Sequence, residues 1–501
     1  MIPRQADTVR LNPDDNVVVA PSRIAKGDQL AREGITALDP IPMGHKIATR
    51  AIHKGELVLK YGQVIGVATA DIAPGAHVHT HNIAMSEERA GAGHQANAWA
   101  RTEPPRSFQG YRRKDGRAGV RNYVGILTSV NCSATVARHI AEAAERSGLL
   151  ADYPNVDGIV PITHTSGCGM ASSGEGFDIL RRTLWGTAAN ANFGAVMLVG
   201  LGCEVLQNDQ LKAMLPDVHA FTIQEVGGTR RAIEEGLARL REILPDLDRQ
   251  RRGDIPAGEL VLGLQCGGSD AWSGVTSNPA LGNASDRIVA LGGTVILSET
   301  PEIYGAEHLL HARAVSPEVS QRLDARMQWW EHYTRINGAE MNNNPSPGNK
   351  AGGLTTILEK SLGAVAKSGT SPLTDVIEYA EALRTRGLVF MDSPGFDPCS
   401  ATGQVASGAT MIAFTTGRGS AYGCKPSPSI KLASNSAIYE KMKDDIDIDC
   451  GTIAGGDATV EQKGGEILDY LLAVASGKQS KSEALGYGGV EFVPWQIGAV
   501  M

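Results

Sequence analysis

The chain of 501 residues is short of aromatic side chains, at 5%, and long in glycine, with 59 residues. That balance points to many tight turns and to places where backbone comes close to a ligand. No apolar run reaches the ~20 residues of a membrane helix, and no membrane partner is expected. The N-terminus, Met1-Ile-Pro-Arg-Gln-Ala-Asp, lacks the basic-then-apolar layout of a secretory signal. There is no basic excess either. The net charge of −8 argues against nucleic acid as the main partner, because phosphate binding needs a concentrated basic surface. Seven scattered cysteines do not form a disulfide framework, and a reducing cytoplasm is the expected location.

What is present begins with His77-Val-His-Thr-His-Asn82. In an extended strand, side chains two apart leave on one face, so His77, His79 and His81 would line one surface. Such a row suits a divalent metal or a proton-transfer site, and it equally suits a solvated strand end.

The pattern around this row divides the chain. Residues 1–83 read as a small β-rich domain of short β-prone runs punctuated by turns such as Lys54-Gly55 and Pro74-Gly75. Ile52-His-Lys-Gly and Ile72-Ala-Pro-Gly look like one turn used twice. Residues 84–109 read as a linker stiffened by Thr102-Glu-Pro-Pro-Arg106. In the basic stretch that follows, Arg113 and Arg121 are candidates to face an anion. Residues 110–250 alternate strand and helix, with strands expected at 123–127, 158–162, 195–199 and 220–223. Residues 251–501 repeat the alternation, with strands at 260–264, 294–297, 388–391 and 411–414 and helices at 305–335 and 372–384. This is α/β architecture with parallel, Rossmann-like sheets. The Gly/Asn/Pro-rich interval 338–371 is expected to be a long functional loop.

In open α/β sheets, ligands collect at the carboxyl ends of strands. The chemistry-bearing residues recur there: Cys132, His164 with Cys168, Cys203 with Glu204, Cys266 with Ser269 and Asp270, Glu299, and Arg418. Small, weakly polar cysteines pack well where backbone converges under a ligand. Thiolate ligation of iron is the alternative, without the support of a Cys-x-x-Cys spacing. Gly200-Leu-Gly-Cys-Glu204 lacks the third glycine of a dinucleotide fingerprint and no P-loop follows, so no nucleotide cofactor is expected. Arg418, between two glycines, suits a carboxylate clamp, and Lys350 and Lys360 could grip substrate.

Taken in order, the phrases Gly44-His-Lys46, Lys60-Tyr-Gly62, His77 to Asn82, Gly119-Val-Arg-Asn122, His164-x-x-Gly-Cys168, Gly200 to Glu204, Cys266-Gly-Gly-Ser-Asp270, Pro345 to Gly353, Glu359-Lys-Ser-Leu-Gly363 and Thr416-Gly-Arg-Gly419 resemble the altronate/galactarate dehydratase family of sugar-acid lyases. The resemblance implies a SAF-type N-terminal β domain joined to a larger α/β catalytic region, and a divalent metal, Fe(II) or Mn(II). It implies loss of water from a small-molecule sugar acid to give a 2-keto-3-deoxy acid, with altronate favoured. Galactarate dehydration, a sulfolactate-type carbon–sulfur lyase and a non-catalytic sugar-acid-binding protein are the competing readings. On chemistry and motif membership together, His79 and His81 are the expected metal ligands, with Cys168, Cys203, Glu204 and Cys266 as further candidates. His45, Lys46, His164 and Lys350 are the acid/base and catalytic candidates. Asn82, Arg121, Ser269, Asp270, Asn349 and Arg418 are expected to bind substrate. A homodimer is the base expectation for its assembly.

Overall fold

The computed structural model describes residues 5–86, 99–213, 215 and 218–498. It is a mixed α/β protein with a small N-terminal β domain, and no helix among the described residues is long and apolar enough to cross a membrane. The N-terminal domain is built from short antiparallel pairs, including Val17–Val19 with Lys46–Ala48 and Leu57–Lys60 with Gln63–Ala68. The suspected double turn is used four times. Ile24, Ile41, Ile52 and Ile72 are each followed three residues later by a glycine with positive φ, and they bridge in pairs, Ile24 with Ile41 and Ile52 with Ile72.

Part of the expected linker, residues 87–98, lies outside the described residues. Its C-terminal end is not a free connector. Ser107–Arg112 is a strand paired with Ala118–Gly119 and Gly253–Pro256.

The middle domain holds four parallel strands, β1 (Tyr123–Thr128), β2 (Gly158–Ile162), β3 (Phe193–Gly200) and β4 (His219–Thr222), in the order β2-β1-β3-β4. Helices α1 (Ala134–Arg146), α2 (Glu175–Ala188) and α3 (Thr229–Asp248) cover it. The larger sheet has seven parallel strands: β5 (Val261–Cys266), β6 (Thr294–Leu297), β7 (Leu373–Ile377), β8 (Gly387–Met391), β9 (Met411–Thr416), β10 (Ser429–Ala433) and β11 (Ile448–Asp449). Their order is β7-β8-β6-β5-β9-β10-β11. β6, β8 and β9 are buried along their whole length, as strands covered on both faces must be. The expected helix over 372–384 is a correction: Leu373–Ile377 pairs with β8 instead.

The interval 338–371 is also corrected. It contains α4 (Pro347–Ala351) and α5 (Ile357–Val365), with 3-10 turns at Met341–Asn343 and Ala366–Ser368. Ser346 and Asn349 form a reciprocal capping box, and Thr356 caps α5 through the Glu359 amide. These caps satisfy amide groups that a loop would leave to water.

The two sheets are locked side by side. Asn190 Nδ2 donates to the carbonyls of Val405 and Ala409, both at 2.9 Å, and Asn192 Nδ2 donates to those of Thr410 and Pro426. Asn192 precedes β3 and Thr410 precedes β9, so the amino ends of the two sheets are neighbours. Residues past the carboxyl ends of both sheets, Thr163 and His164 after β2 and Pro394 and Phe396 after β8, line one cleft.

Candidate active site

The larger sheet reverses its winding between β5 and β9, and this switch point is where an open α/β sheet leaves a crevice. The segments leaving the two strands stay bonded to each other. The amides of Gly417 and Arg418 both donate to the Gly268 carbonyl, at 3.1 and 2.9 Å. A Cβ at Gly267 would collide with Asp397 Oδ2, and one at Gly268 would lie 3.6 Å from Arg418 Cβ. Asp397 and Arg418 thus border the same glycine pair. Asp397 opens helix α6 (Asp397–Ser407), and burial together with nearby Glu302 pushes its carboxyl up to about 7. The exposed Arg418 guanidinium and the half-buried Lys350 ammonium have no hydrogen-bond or ion-pair partner among the described residues, and Arg418 Nε lies 3.9 Å from the position of a Cβ on Gly348.

Beneath this rim lies a buried polar cluster. Cys266 Sγ is 3.3 Å from Glu302 Oε2 and 2.9 Å from Lys367 Nζ. Lys360 Nζ bonds Glu302 Oε1 at 2.5 Å and Asn344 Oδ1 at 2.9 Å. Glu299 follows β6 with φ of 72°, a left-handed conformation that costs a non-glycine residue about 1 kcal/mol or more. Neither Glu299 oxygen has a hydrogen-bond partner, and Lys367 Nζ stands 3.6 Å off. Burial and the neighbouring Glu302 push the Glu299 carboxyl well up. Burial works against charge on Glu302 too, but Lys360 and Lys367 overcome it and hold that carboxyl below its usual range. Ligand atoms of Cys266, Glu299 and Glu302 all lie within 4.8 Å of one another. The Glu299 carboxyl, without a hydrogen-bond partner, and the mixed sulfur–oxygen donors fit a divalent cation.

The N-terminal domain closes over α4. The strand carrying the histidine row ends at Val78, and His79 to Asn82 form a turn held by the Asn82 side chain. The rings still gather: His45 lies 5.1 Å from His77 and 4.8 Å from His79, and His77 lies 5.4 Å from both His79 and His81. The tautomers follow from the partners. His79 Nε2 faces the Lys350 carbonyl at 2.8 Å and His45 Nε2 faces the Ala351 carbonyl at 3.3 Å, so both nitrogens are donors. His45 Nδ1 is then the acceptor of the 2.9 Å bond from His77 Nε2. Burial pushes His77 down to about 3 and His79 to about 4, so these rings are neutral near pH 7.

This geometry corrects the expected metal pair. His79 spends its Nε2 proton on a carbonyl, its Nδ1 faces the Thr80 hydroxyl at 3.1 Å, and neither His79 nor His81 joins a converging ligand set among the described residues. His77, which carried no expected role, is the hub of the group.

Lys46 is not an acid/base group in this arrangement. It is fully buried, with Nζ on the Gly353 carbonyl at 2.7 Å and on both Glu359 oxygens. Lys60 reaches the same carboxylate at 2.9 Å. Burial lowers Lys46 to about 8 despite Glu359. Gly353 allows the contact, since its φ is 99° and a Cβ there would come 2.7 Å from the Gly44 carbonyl. A narrow crevice lined by Tyr61, Ser269, Glu359, Lys360 and Cys266 joins this ion cluster to the cysteine–glutamate cluster.

The expected residues therefore split. His45, His79, Asn82, Lys350, Asn349, Ser269, Asp270, Cys266 and Arg418 converge around α4 and the switch point. Within that set Asp270 and Asn349 are braces. Asp270 accepts from Ser273, Ser434 and Asn435, and Asn349 Nδ2 donates to the Ser269 carbonyl. Arg121 is elsewhere, buried against Glu483 and three backbone carbonyls, which corrects its role as a substrate ligand. Arg113 is likewise spent on Ala191, Asn122, Gln250 and Arg121. Glu204 braces its own turn, bonding Ser129 Oγ and the amides of Leu201 and Gly202, so it is no metal ligand. Cys168 and Cys203 are exposed on the middle domain. His164 Nε2 donates to the Thr128 carbonyl at 3.0 Å and its Nδ1 accepts from the Ser166 amide, which leaves no nitrogen for acid/base work. Its ring lines a cleft of about 610 Å³ between the domains, with Asn131, Arg138, Phe396 and Phe492. Asp397, Glu302 and Lys367 were not singled out from the sequence. Only Asp397-Pro at a helix start carried a local signal, and that signal speaks of capping.

Comparison with known proteins agrees with this architecture. The descriptions "Altronate/galactarate dehydratase SAF domain", "D-galactarate dehydratase/Altronate hydrolase, second domain" and "D-galactarate/Altronate dehydratase, C-terminal" match residues 6–86, 110–248 and 257–500. The chain is 36% identical to an altronate dehydratase of Bacillus subtilis, over 94% of this chain and 95% of that one. It is 38% identical to a galactarate dehydratase (L-threo-forming) of Escherichia coli, over 94% and 93%. A (2R)-sulfolactate sulfo-lyase subunit beta of Chromohalobacter salexigens is 32% identical over 76% of this chain and 96% of its own. The chain belongs to the D-galactarate/altronate dehydratase family.

Proposed function

We propose that this protein is a hydro-lyase that dehydrates altronate to 2-dehydro-3-deoxygluconate at the switch point of the larger sheet. The observation that carries the reading is the meeting of Asp397, poised near neutrality, with the unpaired cation Arg418 over Gly267-Gly268. A proton beside a carboxylate is weakly acidic, and its removal builds negative charge on that carboxylate. Arg418 and Lys350 hold the carboxylate and offset the charge. Asp397 takes the proton from C2 and returns it to the C3 oxygen as that bond breaks. A carboxyl near 7 suits both halves of the transfer. Water leaves, and the enol tautomerises to the 2-keto acid. Of the neutral rings, His45 and His79 have both nitrogens engaged, and His77 offers its Nδ1 as an acceptor to a substrate hydroxyl without adding charge. Cys266, Glu299 and Glu302 would hold a divalent ion, Fe(II) or Mn(II), which would supply Lewis-acid stabilisation of the developing charge.

Altronate has one carboxylate, and Arg418 borders Gly348 of α4, the helix that carries Lys350. The second reading is galactarate. It is favoured by Arg138, a cation on the interdomain cleft that donates to Thr163 Oγ1 and has no ion-pair partner among the described residues. The test is a panel of hexonates and hexarates incubated with the protein and Fe(II) or Mn(II), scored for 2-keto-3-deoxy acid. Turnover of altronate above the rest is expected. Preference for galactarate would move the assignment to the second reading, and no keto acid from any sugar acid would overturn the hydro-lyase assignment.

A further inference from the structure

The middle domain has chemistry that the switch-point site does not use. Of the seven cysteines, Cys266, Cys399, Cys424 and Cys450 are buried, while Cys132, Cys168 and Cys203 are exposed. Exposure is unusual for a residue type that is normally among the most buried. All three lie on one rim, just past β1, β2 and β3, which are adjacent in the sheet.

The loops that carry them are knitted together. The Asn131 amide donates to the Ser166 carbonyl at 2.9 Å, and Asn131 Nδ2 donates to the His164 carbonyl at 3.1 Å. The Val205 amide donates to the Gly167 carbonyl at 3.2 Å, and Ser129 Oγ bonds Glu204. Each cysteine is therefore within two residues of a bond to a neighbouring loop. Gly167 and Gly202 have φ of 100° and 126°, and a Cβ at Gly167 would strike Ser129. The turns presenting Cys168 and Cys203 are thus tight and tied from behind. The one carboxylate in these loops, Glu204, points inward to amides, so sulfur is the donor the loops present outward. Cys132 lies in the 3-10 turn Asn131–Ser133 that leads into the 13-residue α1, whose amino end, which favours negative charge, faces this rim.

We infer that Cys132, Cys168 and Cys203 bind an iron–sulfur cluster of the four-iron type, one thiolate on each of three irons and the fourth iron left without a protein ligand. Three sulfur donors, with the one carboxylate of their loops turned inward, suit a soft, sulfide-bridged centre better than a lone hard cation. Asn131 and His164, beside Cys132 and Cys168, line the interdomain cleft, so the rim borders a space open to a small oxygen-bearing ligand. The inference goes beyond the hydro-lyase reading and does not depend on Asp397.

The test is made on the full chain, purified without oxygen and reconstituted with ferrous iron and sulfide. A broad visible charge-transfer band is expected, with iron and acid-labile sulfide bound in equal amounts near four per chain. Cys132→Ser, Cys168→Ser and Cys203→Ser should each lose most of both while keeping the wild-type far-ultraviolet circular dichroism, and Cys450→Ala should keep both. Iron bound without sulfide, no chromophore at all, or a cluster retained in all three serine variants would each overturn the inference. Asp397→Asn should bind the full cluster, so a failure of this inference and a failure of the hydro-lyase reading are distinguishable.

Discussion

Glu359→Gln is the perturbation that the joint between the N-terminal domain and the larger sheet makes most informative. Glu359 receives Lys46 at 2.8 and 3.0 Å, Lys60 at 2.9 Å, and Thr355 through both its amide and its hydroxyl. All three charged side chains are 0–1% exposed. Two ammonium groups therefore share one carboxylate in a buried joint. Glutamine removes the anion that both cations share and leaves them buried. Breaking a buried pair in this way costs about 3–5 kcal/mol. A bound follows from Lys46, because a lysine can always shed its proton. From an ordinary value of 10.5, deprotonation at pH 7 costs about 1.4 kcal/mol per unit, so about 5 kcal/mol is the ceiling for that side chain. The assays are urea unfolding and limited proteolysis. Trp272, 3.4 Å from the position of a Cβ on Gly44, is a fluorophore at the joint. We expect the variant to lose about 3–5 kcal/mol and to release the N-terminal domain to protease before the larger sheet unfolds. The pH dependence has a definite sign. Lys46 and Lys60 hold the Glu359 carboxyl below its unfolded value of 4.5. Its contribution is present above that value and fades as pH falls below it. An unfolding free energy within about 1 kcal/mol of wild type, with no early release, would refute the reasoning.

Other outcomes follow from the same contacts. The His77 and His79 pKa values are depressed from 6.5 to about 3 and about 4, so the unfolded chain binds more protons across that window and stability should fall as pH drops through it. His77→Gln should flatten this acid limb, as read by thermal unfolding at stepped pH. Arg418→Ala should lower kcat/KM by about 10–100-fold, the value of a charged hydrogen bond, with Arg418→Lys recovering part of it. Arg121→Ala should cost about 3–5 kcal/mol in denaturant unfolding while leaving the KM of the folded enzyme unchanged, because Arg121 faces Glu483 and not the site.

Much of the architecture was legible because buried parallel strands announce themselves as apolar runs. Val261–Cys266, Thr294–Leu297 and Met411–Thr416 are such runs, and they place Cys266, Glu299 and Arg418 at one sheet end. Leu373–Ile377 was not legible. The following Glu-Tyr-Ala-Glu-Ala-Leu-Arg stretch has helix-favouring composition, and only pairing with β8 decides the matter. The helices within 338–371 did carry a signal, in Ser346-Pro-Gly-Asn349 and Thr356-x-x-Glu359, which a reading weighted toward glycine and proline passes over. Site residues divide along the same line. Arg418 stands out by its glycine flanks. Asp397 has no such mark, because its character comes from burial and from Glu302, both supplied by the fold. Arg121 shows the opposite failure: a residue within a shared phrase whose side chain turns into the core.

The central claim, that Asp397 moves the proton in a sugar-acid dehydration, is tested most directly by the pH dependence of kcat on altronate for wild type and Asp397→Asn. Wild type should show a rate limb governed by an ionisation near 7. The variant should lose that limb and about 10²–10⁴-fold in kcat, with KM little changed. A variant that keeps the limb and stays within about tenfold of wild-type kcat would contradict the claim.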